Sequence, residues 1–343
     1  MILACDVGGT KTLVALFEPR GAAFTLSRLE SYPSREHPSL EDILARFLAA
    51  TGGSAPECAG FGVAGAVIGG RAQVTNLSWA VDAARLAAEL RLSSVALVND
   101  LVANAWAVDH LGPGDLAGLK PGRAAPGGNV AVISAGTGLG EAALVRGGAA
   151  RGETAALATE AGHADFAPRV AIEVDLLNYL SSKFGHVSYE RILSGPGLVN
   201  VYQFLKDTGR GEEAAWLSEE LKAGDPAPAI SSAALTGRSP LCELALEIFL
   251  QVYGAEAGNL ALRTMATGGV FVGGGIAPKV FAGLERGPAV QAKRFLGAFR
   301  GAFVEKGRFT SMLEAVPVQL ILNDRAALLG AAHFASASAP AQR

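Results

Sequence analysis

The residues best suited to chemistry sit in two glycine-bearing turns. In M-I-L-A-C-D-V-G-G-T-K-T, residues 1–12, a short apolar run delivers Asp6, then Gly8, Gly9 and Thr10, and apolar residues resume at Leu13. That pattern predicts a strand, a tight turn and a second strand. The Gly8 and Gly9 amides leave no side chain in the way, so with the Thr10 hydroxyl they can wrap a phosphate. Asp6, at the strand end, can hold a hydrated Mg²⁺ beside it. The same design returns in N-V-A-V-I-S-A-G-T-G-L-G, residues 129–140, with Gly136, Thr137 and Gly138 at the turn. The spacing is not the dinucleotide fingerprint, because Glu141 stands where a third glycine belongs, and no Gly-Lys pair exists to make a Walker loop. A third run, residues 268–275, ends in three glycines, and backbone as bare as Gly274 and Gly275 can lie against a flat adenine ring.

Carboxylates and an imidazole supply the other candidates. Asn99-Asp100 follows an apolar strand and opens a helix carrying Ala103, Ala105, Trp106 and Val108. The dipole of that helix favours an ionised Asp100, which can cap the helix or, in a cleft, take the proton of an attacking hydroxyl. The residues alone leave both roles open. Glu160 and His163, three apart, and Glu190 are types that hydrogen-bond vicinal sugar hydroxyls. Taken singly, Glu190 equally suits a surface ion pair and His163 a structural histidine. Asn76 reads either as lining a cleft, with Trp79 behind it, or as a simple turn residue.

Elements must hold these groups in place. At 343 residues with 43 glycines and 50% hydrophobic residues, the chain suits an α/β protein divided into two lobes. A formal net charge of −3 gives no footprint for nucleic acid or an anionic membrane. No apolar run approaches the roughly 20 residues of a membrane span. The opening residues lack a basic n-region, so no signal peptide is expected. Three scattered cysteines suggest neither a disulfide framework nor a zinc site. The pattern predicts helices over 39–50, 83–90 and 325–334, with one more around Trp216. Strands are predicted over 60–63, 72–75, 95–98 and 316–322, and a frayed tail from Ala335. The expected division is residues 1–110 plus 323–343 in a small lobe and 111–322 in a large one, with the phosphate turns hinting at an old duplication.

D-V-G-G-T-K-T, V-N-D at 98–100, A-G-T-G-L-G, E-A-G-H at 160–163, L-S-G-P-G-L at 193–198 and G-G-G-I-A-P at 273–278 together resemble the bacterial ATP-dependent glucokinases. The resemblance runs through nearly the whole chain in the family's motif order. It implies the two-lobed actin-like ATPase (ribonuclease H-like) fold with an interlobe cleft. It also implies transfer of the γ-phosphoryl of ATP, with Mg²⁺, to the 6-hydroxyl of D-glucose. Asp100 is then the general base, and Asn99, Asp100, Glu160, His163 and Glu190 are the sugar ligands. Asp6, Gly8, Gly9, Thr10, Gly136, Thr137, Gly138, Gly274 and Gly275 then serve the nucleotide, with Asp6 anchoring the metal. A cytoplasmic homodimer is the further implication. The cysteine cluster that holds zinc in the related repressor–kinase family is missing. Two rivals stand beside this reading: a kinase for another hexose such as mannose, and a sugar-sensing regulator that binds ligand without turnover.

Overall fold

A computed structural model describes residues 1–21, 23–51, 56–147 and 154–338. The expected first hairpin forms from β1 (Ile2–Val7) and β2 (Lys11–Arg20), paired antiparallel. An edge strand the sequence pattern did not mark, β3 (Ala23–Pro33), extends it. On the other side, β4 (Cys58–Val63) pairs parallel to β1 and β8 (Val95–Asn99) parallel to β4, giving the order β3-β2-β1-β4-β8. Between β4 and β8 the chain makes a small three-stranded sheet of β5 (Val67–Ile68), β6 (Arg71–Gln73) and β7 (Ala80–Asp82).

Alternation along β1 decides what covers each face of this sheet. Leu3, Cys5 and Val7 point to one side, where α1 (Leu40–Ala49) contributes Ile43, Leu44 and Phe47 and α2 (Ala83–Leu90) contributes Leu86. Both helices begin as their sequences predict: Ser39 accepts from the Asp42 amide, and Asp82 accepts from Ala84 and Arg85. Ile2 and Ala4 point to the opposite side, into a cluster with α3 (Asp100–Ala107) and α12 (Ala326–Ser338).

The second sheet has the order β12-β11-β10-β13-β14-β9. Its strands are β9 (Leu116–Lys120), β10 (Val130–Ala135), β11 (Leu139–Arg146), β12 (Thr154–Ala158), β13 (Gly269–Gly273) and β14 (Val318–Ile321). One face carries Ala131, Ile133, Val270, Val272 and Leu320 into the larger core. The helices on that core are α4 (Ala171–Phe184), α5 (Gly195–Asp207), α6 (Ala215–Ala223), α7 (Pro226–Leu235), the long α8 (Pro240–Thr264), α9 (Ala277–Arg286), α10 (Ala289–Val304) and α11 (Thr310–Ala315). The span 208–240, expected to be loops around one helix, holds both α6 and α7, each ending in a short polar turn. The other face of the sheet, through Val130, Val132, Ala142, Leu144 and Phe271, joins the α3–α12 cluster. Of these two helices, α3 packs against both sheets, and α12 packs on α3 and the first sheet.

The tail expectation fails over its first residues. α12 continues to Ser338, and Ala335 is fully buried against Gly60 of β4. Alanine-rich packing, invisible to a search for polar fraying, holds that turn in place; residues 339–343 lie outside the described residues. The approach is close because side chains are missing. A methyl group at Gly60 would fall on the Ala331 carbonyl, and one at Gly330 on the Ala103 carbonyl of α3. Gly330→Ala is expected to force α12 off α3 and to destabilise the fold by about 1–3 kcal/mol. A lowered urea midpoint is the measurement, and an unchanged midpoint would show that the helices separate freely.

Candidate active site

The parallel strands bring the candidate residues to one edge. Val7, Val63 and Asn99 are level across β1, β4 and β8. Asp6 thus lies near the end of β1 and Asp100 just past the end of β8, with β4 between them, which sets their backbones on the order of 10 Å apart. Asp6 shares the face of Ile2 and Ala4, the side where α3 begins. Crevices beyond the carboxyl ends of parallel strands are where α/β sheets bind ligands.

At the first turn, the Gly8 amide donates to the Lys11 carbonyl at 3.1 Å. The Ser34 hydroxyl donates to the Gly8 carbonyl at 2.7 Å and contacts the Thr12 hydroxyl at 3.0 Å. Ser34 is fully buried and lies 26 residues from Gly8 in sequence, so no local pattern could have flagged it. A Cβ on Gly9 would sit 2.5 Å from the Thr75 carbonyl and 3.4 Å from Asn76 Cβ. Asn76 is a turn residue with φ +64°, as the simple-turn reading expects, and its turn packs behind the Gly8-Gly9 turn. Thr10 is exposed at the tip.

Asn99 and Asp100 divide the duties at the start of α3. Asn99, not Asp100, is the N-cap: its Oδ1 accepts from the Leu101 amide at 2.9 Å, while its Nδ2 donates to the Gly65 carbonyl at 3.1 Å. Asp100 is the first helical residue, and its Oδ1 accepts from the same Leu101 amide at 3.0 Å. Its second oxygen has no hydrogen-bond partner among the described residues. Burial, and then the negative charge of Asp6, push the Asp100 carboxyl up to about 7; the Leu101 amide opposes this and Glu160 adds to it. Burial also lifts Asp6, to about 6, against the pull of Lys11. Lys11, to which the sequence assigned no chemistry, is thus the cation beside this carboxylate pair.

The second sheet supplies the facing wall. In the turn after β10 the Gly136 amide donates to the Gly138 carbonyl at 2.8 Å, and the Gly136 carbonyl accepts from Gly195 at 2.8 Å. Thr137 is exposed at the tip. Glu190 braces this turn: its Oε2 accepts from the Leu139 amide at 2.9 Å and would lie 2.5 Å from a Cβ on Gly138. Its Oε1 stands 4.0 Å from His163 Nδ1. Glu160 and His163 flank the short 3-10 turn Ala161–His163, both exposed, with Gly162 pressed against the Leu139 carbonyl. Gly140 lets Leu101 of α3 approach, since a Cβ there would meet Leu101 Cδ2 at 2.5 Å. That contact carries Asp100 up to the wall of Glu160, His163 and Glu190.

The third glycine run joins the second. β13 is parallel to β10, with Gly273 opposite Ser134, and Gly275 N is 3.9 Å from the position of a Gly136 Cβ. Gly274 takes φ +84°, with its Cα against the Ala135 carbonyl, and space is open above Gly275. The two facing walls therefore carry two glycine turns, a bare glycine shelf, two raised carboxyls, the exposed Glu160 and His163 and the half-buried Glu190. A groove of about 510 Å³ between α4, α8 and α10 shares none of these residues.

The glucokinase family model matches residues 3–338. A glucokinase of Nostoc punctiforme is 40% identical over 97% of this chain and 98% of its own length. The chain belongs to the glucokinase family. A Synechocystis glucokinase is 38% identical, over 98% of both chains. Among solved structures, a glucokinase from an Antarctic psychrotroph superposes with a TM-score of 0.83 at 30% identity, covering 98% of this chain and 99% of that one. A ROK-family glucokinase from Streptomyces griseus, solved with glucose and AMPPNP, is 23% identical with a TM-score of 0.59 and shows likeness of fold. The two-lobed actin-like architecture expected from the motifs stands, and so does membership of the ATP-dependent sugar kinases.

The electrostatics fix a pH dependence. A group at Asp100 that must be ionised loses function as it takes up a proton, so kcat/KM for sugar is expected to fall below about pH 7. Because the Asp6 charge raises that value, Asp6→Asn is expected to move the acidic limb to lower pH. A pH–rate series on both forms checks this, and an unmoved limb would remove Asp6 from the electrostatics of Asp100.

Proposed function

We propose that this protein transfers the γ-phosphoryl of ATP to the 6-hydroxyl of D-glucose, giving glucose 6-phosphate and ADP. Membership of the glucokinase family is the observation that carries the reading. Asp100 is the general base: its free carboxylate oxygen takes the proton of the 6-hydroxyl as that oxygen attacks phosphorus in line, with no covalent intermediate. A value lifted to about 7 suits a base at neutral pH, ionised for much of the time yet basic enough to accept a proton. Glu160, His163 and Glu190 bind sugar hydroxyls, each of which offers both a donor and an acceptor. Asn99 takes a smaller part, because its carboxamide already caps α3 and holds Gly65. The amides at Gly9 and Thr10, and those at Thr137 and Gly138, receive the phosphates, while the Gly8 and Gly136 amides, expected to join them, are spent closing their own turns; Gly274 and Gly275 receive the adenine. Since the transition state is loose, positioning and electrostatic stabilisation supply most of the acceleration.

Mg²⁺ enters with the nucleotide. No cluster of three or more His, Cys, Asp or Glu suited to a metal exists among the described residues. That fits an ion held mainly by phosphate oxygens and water, with Asp6 as its one protein anchor. Held there, the ion would neutralise charge on the phosphates, and Asp6 would fix where that charge sits.

We assign residues 1–110 with 323–343 to the small lobe and 111–322 to the large lobe, with sugar binding closing the cleft against water. No described helix is long and apolar enough to cross a membrane, and the described cysteines are all buried and free. With the resemblance, these support a cytoplasmic enzyme; homodimeric assembly rests on the resemblance alone.

The test is glucose 6-phosphate formation with MgATP across a panel of hexoses, beside Asp100→Asn. Glucose turnover that drops at least about 10²-fold in the variant, with sugar binding retained, supports activity and base together. Turnover with mannose alone would transfer the reading to another hexose. Sugar binding without any turnover would make the protein a sensor.

A further inference from the structure

One buried carboxyl serves none of these roles. Glu141 of β11 is fully buried, and neither of its oxygens has a hydrogen-bond partner among the described residues. It shares with Ala143 the sheet face covered by α8. From α8, Glu256, itself fully buried, Arg263 and Tyr253 face it. Around Glu256 stand Tyr189 and Lys306. Arg263 is the cation bonded to Glu256, at 2.5 Å, so the site holds two carboxyls against one close guanidinium. An unpaired ionised carboxylate costs several kcal/mol to bury, and such a group takes up a proton instead. The proton also gives Glu141 a donor, and Glu256 is the acceptor beside it.

We propose that Glu141 is a positioning residue of the phosphoryl-transfer site, donating a carboxyl hydrogen bond to Glu256 that closes a ring of contacts around the second glycine turn. Glu256 Oε2 accepts from Asn259 Nδ2 at 2.8 Å, and the same Nδ2 lies 3.2 Å from the Tyr189 hydroxyl. Tyr189 adjoins Glu190, whose carboxylate holds the Leu139 amide, and Leu139 is two residues from Glu141. The ring therefore runs from the turn through Glu190, Tyr189, Asn259 and Glu256 back to the turn. Ionising Glu141 sets a second negative charge against Glu256 and opens it. This inference rests on Glu190 as a sugar ligand, because the loosening reaches the substrate through that side chain.

Burial, with the charge of Glu256 second and Arg263 opposing, pushes Glu141 up to about 8. Its proton is therefore retained at neutral pH and lost under mildly alkaline conditions. The sign for stability follows: the folded value lies above the ordinary 4.5, so stabilisation is complete below pH 4.5 and lost progressively up to about pH 8.

The experiment measures KM for glucose, kcat and the urea midpoint from pH 5 to 9.5 for the full chain and for Glu141→Gln and Glu141→Leu. Glutamine keeps a permanent donor. The expected result is a wild-type KM for glucose that climbs above pH 8, a Gln variant that lacks the climb, and a Leu variant with KM raised about three- to tenfold at every pH. The wild-type urea midpoint should fall relative to the Gln variant between pH 5 and 8, then level off. An alkaline climb that persists in Glu141→Gln overturns the proposal, as does a Leu variant that loses stability with KM unchanged. Should the Leu variant fail to fold, the Gln comparison decides. Glu190→Gln, run alongside, separates the two readings. An unchanged glucose KM there removes Glu190 from sugar binding and with it the proposed route, whereas the urea series reports on the Glu141 proton alone.

Discussion

Close packing of one short helix governs this structure. α3 is only eight residues long, far too short to be stable alone. It is gripped by α12 through the bare backbone of Gly330 on one side and by β11 through Gly140 on the other. Neither contact leaves room for a methyl group, so the helix has little freedom to slide or roll. Asp100 is its first residue, which means the placement of its carboxylate is set by glycines and alanines packed behind it. The two hydrophobic faces that meet at α3 and α12 belong to different sheets, so the same packing also decides how the two anion turns face each other.

Charge is arranged around that helix with unequal compensation. Asp6 has Lys11 nearby, whereas Asp100 is opposed by Asp6 and Glu160 and eased only by local amides. The result is a graded pair: Asp6 raised to about 6 and Asp100 to about 7. Two groups in one cleft with separated values can do different work at one pH. On the far side of the second sheet, Glu141 and Glu256 are both fully buried.

Much of this was legible in the chain. The hairpin turns, the helix beginning at Ser39 and the strand leading to Asn99 follow from glycine placement, capping residues and β-branched runs, all local signals. The resemblance rested on those same turns plus the order of the motifs. What escaped detection acts at long range or through absent atoms. Ser34 supports Gly8 from 26 residues away. Lys11 looks like any exposed lysine until Asp6 is placed beside it. The cap at α3 went to Asn99 because an Asn side chain can accept from the helix and donate to Gly65 at once, which an ionised Asp cannot. The edge strand β3 mixes polar and apolar residues without a sharp boundary, and the last turn of α12 reads as a small-residue tail until Gly60 is seen against it.

The order in which the chain is made matters for a protein built this way. The first sheet is complete in sequence by Asn99, yet the helix that covers one of its faces begins at Ala326. During synthesis, Ile2, Ala4, Phe17 and Cys58 must wait for more than two hundred further residues before α12 arrives to bury them. The second sheet is itself complete only when β14 ends at Ile321, shortly before α12 begins. The face translated first is thus among the last to be covered, closed only when α12 folds onto it.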